Sequence, residues 1–87
     1  MKKLKQNKYV SFNYYKGPYD KNLIKTPVII EIEYINKNIY RCKSSYLKIK
    51  VSDSFEFLSR GQISERIRCG IYRPIDEAGI AILLLSD

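Results

Sequence analysis

The sequence predicts a mainly β fold, with an α+β arrangement as an alternative. We expect a single small antiparallel barrel or curled sheet of five to six short strands, with at most one short helix around residues 53–63. Apolar and polar residues alternate in several segments, as in half-buried strands, and turn-forming residues separate these segments at short intervals. The 87 residues suffice for one hydrophobic core. Residues 8–87 are therefore predicted to form one domain, preceded by a basic flexible tail over residues 1–7.

The first strand is predicted from Lys8 to Lys16, where residues of even and odd number differ in character. We expect Val10, Phe12 and Tyr14 to face the core and Tyr9, Ser11, Asn13 and Tyr15 to face outward. Gly17 and Pro18 end this strand, and a polar loop follows up to Thr26.

The second and third strands are predicted on either side of the turn Asn36-Lys37-Asn38. Residues 28–35 are rich in β-branched side chains, which suit a pleated surface. In the third strand the apolar residues change from even to odd positions after Cys42. We therefore expect a β-bulge at Ser44–Ser45.

Residues 53–72 allow two interpretations. Asp53 and Glu56 resemble a capping box, but Gly61 limits the predicted helix to a short turn within residues 53–63. Residues 66–72 alternate like a strand, although isoleucines at a spacing of four from Ile63 to Ile71 are also compatible with a helix.

The run IAILLL over residues 80–85 is the most continuous apolar segment of the chain. A strand with one solvated face would alternate. We therefore expect this run to be a central strand that is covered on both sides.

The composition argues against catalysis. The chain has no histidine, and its glycines form no phosphate-binding loop. Glu31 and Glu33 share a strand face, but alternating glutamates usually mark a solvated face. Cys42 and Cys69 lack metal-site spacing and are predicted to be reduced thiols. We therefore expect no enzyme activity, catalytic residue, metal, cofactor or small-molecule substrate.

The localisation signals are weak. The segment MKKLK is followed by QNKYVSFNYY and not by the apolar region of an export signal. The longest apolar run is much shorter than the roughly 20 residues of a spanning helix. The sequence therefore predicts a cytoplasmic protein with no membrane partner.

The charge is +7 and unevenly distributed. Residues 1–26 hold seven lysines and one aspartate, whereas residues 74–87 hold three acidic residues and no basic one. A bias toward A/T-rich codons would explain many lysines and tyrosines without a ligand. It explains less well why four of the five arginines lie within residues 60–73. The basic character favours a polyanionic partner.

These patterns predict a nucleic-acid-binding sheet face on which tyrosines stack on the bases of single-stranded RNA or DNA and cations pair with phosphates. The predicted site residues are Tyr9, Tyr15, Lys16, Tyr19, Tyr46, Lys48, Lys50, Arg66, Arg68 and Tyr72. In a purely structural alternative, the tyrosines pair across strands and the arginines pair with Glu65 or Glu33.

A second functional interpretation uses the same surface to bind protein. The chain would then be a small docking module or inhibitor, of the type found in phages, that binds an acidic surface of a nucleic-acid-handling protein complex. Sequence alone leaves both interpretations open.

Overall fold

The computed structural model describes residues 7–15 and 24–85, which contain one open antiparallel sheet and two helices. The strands are β1 (Lys8–Tyr15), β2 (Ile24–Asn36), β3 (Ile39–Tyr46), β4 (Ser54–Leu58) and β5 (Arg73–Pro74), and the helices are α1 (Arg60–Arg68) and α2 (Glu77–Leu85). The strand order is β4-β3-β2-β1-β5. The predicted mainly β fold is confirmed, and the open sheet is consistent with the curled-sheet form. The expected limit of one helix is wrong, since the described residues contain two.

The hairpin of β2 and β3 is the longest part of the sheet. Its turn is held by the Asn36 side chain, whose Oδ1 accepts a hydrogen bond from the Asn38 backbone N–H at 3.1 Å. Asparagine favours such turns because its amide reaches the backbone two residues ahead. The predicted turn is therefore confirmed.

The bulge of this hairpin lies beside the turn. The pairing shifts between Tyr34 and Asn36, whereas the pairs on both sides of Ser44–Ser45 are regular. The predicted bulge position is wrong because β3 ends at Tyr46. The apolar residues that follow leave the strand, so their change of parity needs no extra residue within it.

One face of the sheet carries the hydrophobic core, and we call it the core face. Residues directly opposite each other in a ladder share a face, so the register places alternate residues of four strands together. The core cluster consists of Tyr9, Val28, Ile30, Ile32, Cys42, Leu58, Ile63 and Tyr72, with Tyr40 and Tyr46 packed against it. Helix α1 contributes Ile63, so it lies against this face.

The predicted facing of β1 is wrong in part. Tyr9 lies opposite Ile30 and belongs to the core, and Ser11 is also buried. Val10 is buried on the opposite face, but Phe12 is 42% exposed. The side chain of Tyr14 lies outside the described residues. A tyrosine fits either face because its body is apolar and its tip is polar.

The segment that was expected to begin a helix at residue 53 instead forms β4. Leu58 is buried in the core cluster, and helix α1 begins only after Ser59. The capping box is Ser59 with Gln62: Ser59 Oγ accepts from the Gln62 N–H at 3.2 Å, and Gln62 Oε1 accepts from the Ser59 N–H at 2.9 Å. Gly61 does not interrupt the helix because it lies in the first turn, where N–H groups have no intrahelical partner.

Residues 66–68 belong to α1, so the strand predicted over residues 66–72 is wrong. The helical alternative is correct for Ile63 and Ile67, whereas Ile71 lies beyond the end of the helix. Gly70 ends this helix with φ of 80°, a left-handed conformation that glycine adopts readily. The carbonyl of Arg66 accepts backbone hydrogen bonds from Ile71 at 2.9 Å and Tyr72 at 3.1 Å. The chain thereby turns back toward the sheet and places Tyr72 in the core.

The apolar run over residues 80–85 lies in α2 and not in a central strand. Asp76 precedes the helix and caps its N-terminus, since its Oδ1 accepts a hydrogen bond from the Gly79 N–H at 2.8 Å. No residue of α2 is buried. The expectation of a strand covered on both sides is therefore wrong, because an aspartate cap and the high helix propensity of Leu and Ala favour a helix here.

Candidate functional site

The structure divides the predicted site residues among several environments. Tyr9 and Tyr72 are 8% and 4% exposed, and their ring centroids are 6.1 Å apart in the core. The prediction that they face outward is wrong. Their rings are not accessible for stacking on a base.

Arg66 is partly buried and connects α1 to β4. Its Nη1 donates to Glu56 Oε1 at 2.8 Å and to the Tyr72 hydroxyl at 2.8 Å. The hydrogen bond with Glu56 raises the pKa of Arg66, and the bond with Tyr72 adds to this effect. These contacts give Arg66 a structural role between helix, strand and core.

Arg68, the second arginine of the predicted site that lies in α1, has a largely exposed side chain. Residues two apart on a helix point in different directions, and Arg68 pairs with Glu65 on the same helix. The purely structural interpretation of this arginine is thus the one that the structure shows.

Of the remaining predicted residues, the structure describes the side chains of Tyr46, Lys48 and Lys50, and Tyr46 packs against the core cluster. Tyr46 is half-buried, and its hydroxyl accepts from Asn13 Nδ2 at 3.4 Å. Lys48 and Lys50 are exposed in the segment after β3. Tyr15 lies in β1, but its side chain is outside the described residues, as are Lys16, Tyr19 and tail residues 1–6.

The face opposite the core face carries a different group, two exposed aromatic residues beside two partly buried cations, which we call the aromatic–cation surface. It consists of Arg41, Lys43, Phe55 and Phe57. Arg41 lies opposite Phe57 and Lys43 opposite Phe55, so the four side chains share one face. Phe55 is 55% exposed and Phe57 is 65% exposed. Two large aromatic side chains thus meet solvent beside two cations.

The cations of this surface are positioned by the two glutamates of β2. Arg41 Nη2 lies 3.0 Å from Glu33 Oε2, and Lys43 Nζ lies 3.7 Å from Glu31 Oε1. The Arg41 guanidinium also lies 5.3 Å from the Phe55 ring centroid, within the range of a cation–π contact. The glutamates therefore act as ion-pair partners of β3.

A second aromatic–cation pair lies on the same face at the other side of the sheet. Lys25 Nζ is 5.3 Å from the ring centroid of Phe12. The register places both residues on the face opposite the core, since Phe12 pairs with Pro27 and Lys25 precedes that position by two. Aromatic and cationic groups therefore do interleave on a sheet face, but with phenylalanines in place of tyrosines.

A signal for Phe55 and Phe57 was present in the sequence. In SFEFL the two phenylalanines alternate with Glu56 and Leu58, which is the period of a strand. Asp53 and Glu56 also resemble a capping box, and this resemblance led to the expectation of a helix in place of a strand. A strand assignment would have placed both rings on one face.

Two searches of the described residues gave negative results. Within residues 7–15 and 24–85, no three metal-ligating side chains of the His, Cys, Asp and Glu types come together. Neither of the two helices in this part of the chain has the length and apolar character needed to cross a membrane. Comparison with protein-family models, with curated proteins and with solved structures finds no match to this chain.

Stability is expected to fall at alkaline pH. Burial raises the pKa of Tyr9, of Tyr72 and of the Cys42 thiol above their ordinary values of 10.0, 10.0 and 9.0. Because the folded state holds these protons more tightly, its stabilisation is complete below the ordinary pKa values and is lost as the pH rises through the folded ones. Urea unfolding at several pH values from 8 to 11 should show a free energy of unfolding that declines above about pH 9.

The matched control for this prediction is Tyr9→Phe, which keeps the ring and removes the titrating group. Its free energy of unfolding should decline less steeply with pH than that of the unchanged protein. A flat pH dependence up to pH 11 in the unchanged protein would contradict the effect of burial.

Proposed function

We propose that this protein is a non-catalytic docking module that binds an acidic protein surface through the aromatic–cation surface. The observation that carries the proposal is the exposure of Phe55 and Phe57 beside Arg41 and Lys43 on a single sheet face. Exposed aromatic residues next to arginine are the composition of interface hot spots. A protein of this size would otherwise gain stability by burying two phenylalanines.

The charge of the chain supports an acidic partner. The formal net charge is +7, and this excess attracts negatively charged surfaces over about one Debye length, roughly 8 Å at physiological salt. Arg41 presents a guanidinium with five N–H donors, and a donor on Nη2 is hydrogen-bonded to Glu33. Donors of this side chain can therefore bind a partner carboxylate while the ion pair keeps it in place.

The exposed apolar residues of α2 fit a protein partner better than a nucleic acid. Ile82, Leu84 and Leu85 are 67%, 55% and 85% exposed. Clustered aliphatic side chains at the surface mark protein contacts, and they offer neither stacking nor phosphate pairing.

The test replaces both phenylalanines in the variant Phe55→Ser/Phe57→Ser. Each hot-spot aromatic contributes about 2 kcal/mol or more, so affinity should fall at least roughly 30-fold per residue. A photo-crosslinking residue at position 57 would label the partner in host-cell extract. Labelling should be competed by the unchanged protein and not by the double variant.

The control variant is Ile71→Ser, which changes an exposed apolar residue in the turn after α1, outside this surface. It should compete like the unchanged protein. All variants should keep the same circular dichroism spectrum, since the replaced residues are exposed. Equal competition by the double variant would exclude the aromatic–cation surface as the contact.

Single-stranded nucleic acid is the second candidate partner. The observation that favours it is the pairing of Lys25 with Phe12 and of Arg41 with Phe55 on one open sheet face, since rings can stack on bases and cations can bind phosphates. Binding of a labelled oligodeoxythymidine would weaken steeply between about 50 and 200 mM salt. If binding is absent or does not depend on salt, single-stranded nucleic acid is excluded as the partner and the protein partner is the remaining candidate.

A further inference from the structure

Strand β4 is an edge strand with an accessible outer side. It is the terminal strand in the sheet order, and within the described residues its hydrogen-bonded neighbour strand is β3. Four of its five residues are exposed, and Leu58 alone is buried. In such a strand, alternate residues direct their backbone N–H and C=O groups away from the sheet.

Three common features that prevent strand addition are absent from β4, and its one charged residue, Glu56, is already paired with Arg66. Proteins protect edges with lysine, proline or a bulge, but the sequence SFEFL contains neither residue, and its pairing with β3 is regular from Ser54 to Leu58. The opposite edge differs. There β5 consists of two residues, of which Pro74 has no N–H to donate.

The edge is also held in place before any partner arrives. Leu58 anchors one end in the core cluster, and Glu56 is bound by Arg66 of α1 at 2.8 Å. A fixed edge loses little conformational entropy on binding. Strand addition to β4 is therefore favoured by geometry.

The charge around β4 indicates which kind of segment could pair with it. Residues 48–60 hold the exposed cations Lys48, Lys50 and Arg60 against two acidic residues, Asp53 directly before β4 and Glu56 within it, and Glu56 is paired with Arg66. The surroundings of β4 therefore keep a small excess of positive charge. A second copy of the chain would bring another net charge of +7 to the same edge. An extended segment with carboxylates at its ends and apolar side chains at its centre has the complementary chemistry.

We propose that β4 accepts an extended acidic segment of a partner protein as an additional strand. This inference rests on the proposed docking function and defines its mode. The partner backbone hydrogen-bonds to the outer side of β4, and its central apolar side chains pack against Phe55 and Phe57. Backbone pairing supplies affinity in this mode, and alternate side chains supply specificity.

The experiment uses a labelled peptide with blocked ends and the sequence DDVTVTVDD, measured by fluorescence anisotropy. Two further peptides carry N-methyl groups on alternate central residues, one on the valines and one on the threonines. Only the residues whose N–H groups point at β4 need those protons. One methylated peptide should therefore bind at least about tenfold more weakly, while the other binds like the parent.

The outcomes distinguish a failure of strand addition at β4 from a failure of the docking function itself. A loss confined to one methylated peptide supports strand addition. Equal binding of all three peptides, or no binding of the parent, overturns it. The crosslinking competition is independent of these peptides, so its failure would remove the docking function itself. The charge-reversed peptide KKVTVTVKK should not bind, and its binding would overturn the acidic character of the segment.

Discussion

Replacement of Tyr72 by alanine is expected to lower the free energy of unfolding by about 3–5 kcal/mol, the usual cost of removing a large buried aromatic side chain. Tyr72 is 4% exposed, its ring packs near Tyr9, and its hydroxyl accepts a hydrogen bond from Arg66. The alanine variant loses the ring and leaves Arg66 without this partner. Urea unfolding followed by circular dichroism measures the change.

The variant Tyr72→Phe separates the two contributions. It keeps the ring and removes only the hydroxyl, so the loss should be about 1 kcal/mol. An alanine variant no less stable than the phenylalanine variant would show that the ring contributes nothing, contrary to its place in the core.

The variant Ile30→Ala is expected to lower the free energy of unfolding by about 2–5 kcal/mol, because it leaves a cavity in the centre of the sheet. Ile30 is 4% exposed and lies between Tyr9 of β1 and Ser44 of β3. A domain of this size has a total stability on the order of 5 kcal/mol. The variant should therefore keep no more than about 3 kcal/mol of that stability, and its urea unfolding should show a midpoint at a much lower urea concentration than that of the unchanged protein.

The control for this prediction is Ile35→Ala in the same strand. Ile35 is 45% exposed and lies at the bulge, so its replacement should change stability by no more than about 0.5 kcal/mol. Similar losses at the two positions would contradict the assignment of the core face.

The hairpin of β2 and β3 could be predicted from the sequence because two independent signals agree there. Val28, Ile30 and Ile32 alternate with other residues and are β-branched, and the Asn36-Lys37-Asn38 turn follows them directly. The facing of β1 could not be predicted in the same way. Tyrosines occupy both parities of that strand, and only the register with β2 decides which ring is buried.

The segment from β4 to Tyr72 was the hardest to predict. Isoleucines four residues apart support a helix, but the alternation of residues 66–72 supports a strand equally well. The structure resolves this conflict through tertiary contacts: Ile63 packs in the core, and Arg66 bonds to Glu56. Such contacts between distant residues leave no local signal in the sequence.

The sequence analysis predicted a sheet face that carries aromatic and cationic side chains, but it named other residues than those that the structure places on such a face. Arg66 and Arg68 were both predicted for a strand face, but the helix that they form directs their side chains apart. The surface that the structure presents draws Arg41 and Lys43 from β3 and two phenylalanines from β4. Replacing Arg66 and Arg68 together would now confuse binding with folding, since Arg66 supports Tyr72.

The absence of buried residues in α2 divides the described chain into two levels of cooperativity. Leu58, Ile63 and Tyr72 share one cluster with the central strands, so we expect the amide protons of β4 and α1 to exchange with solvent more slowly than those of α2. Helix α2 contributes no residue to that cluster, so we expect its amide protons to exchange with solvent through local opening while the sheet stays intact. A partner that covers this helix should slow that exchange in α2 and leave the exchange of the sheet unchanged.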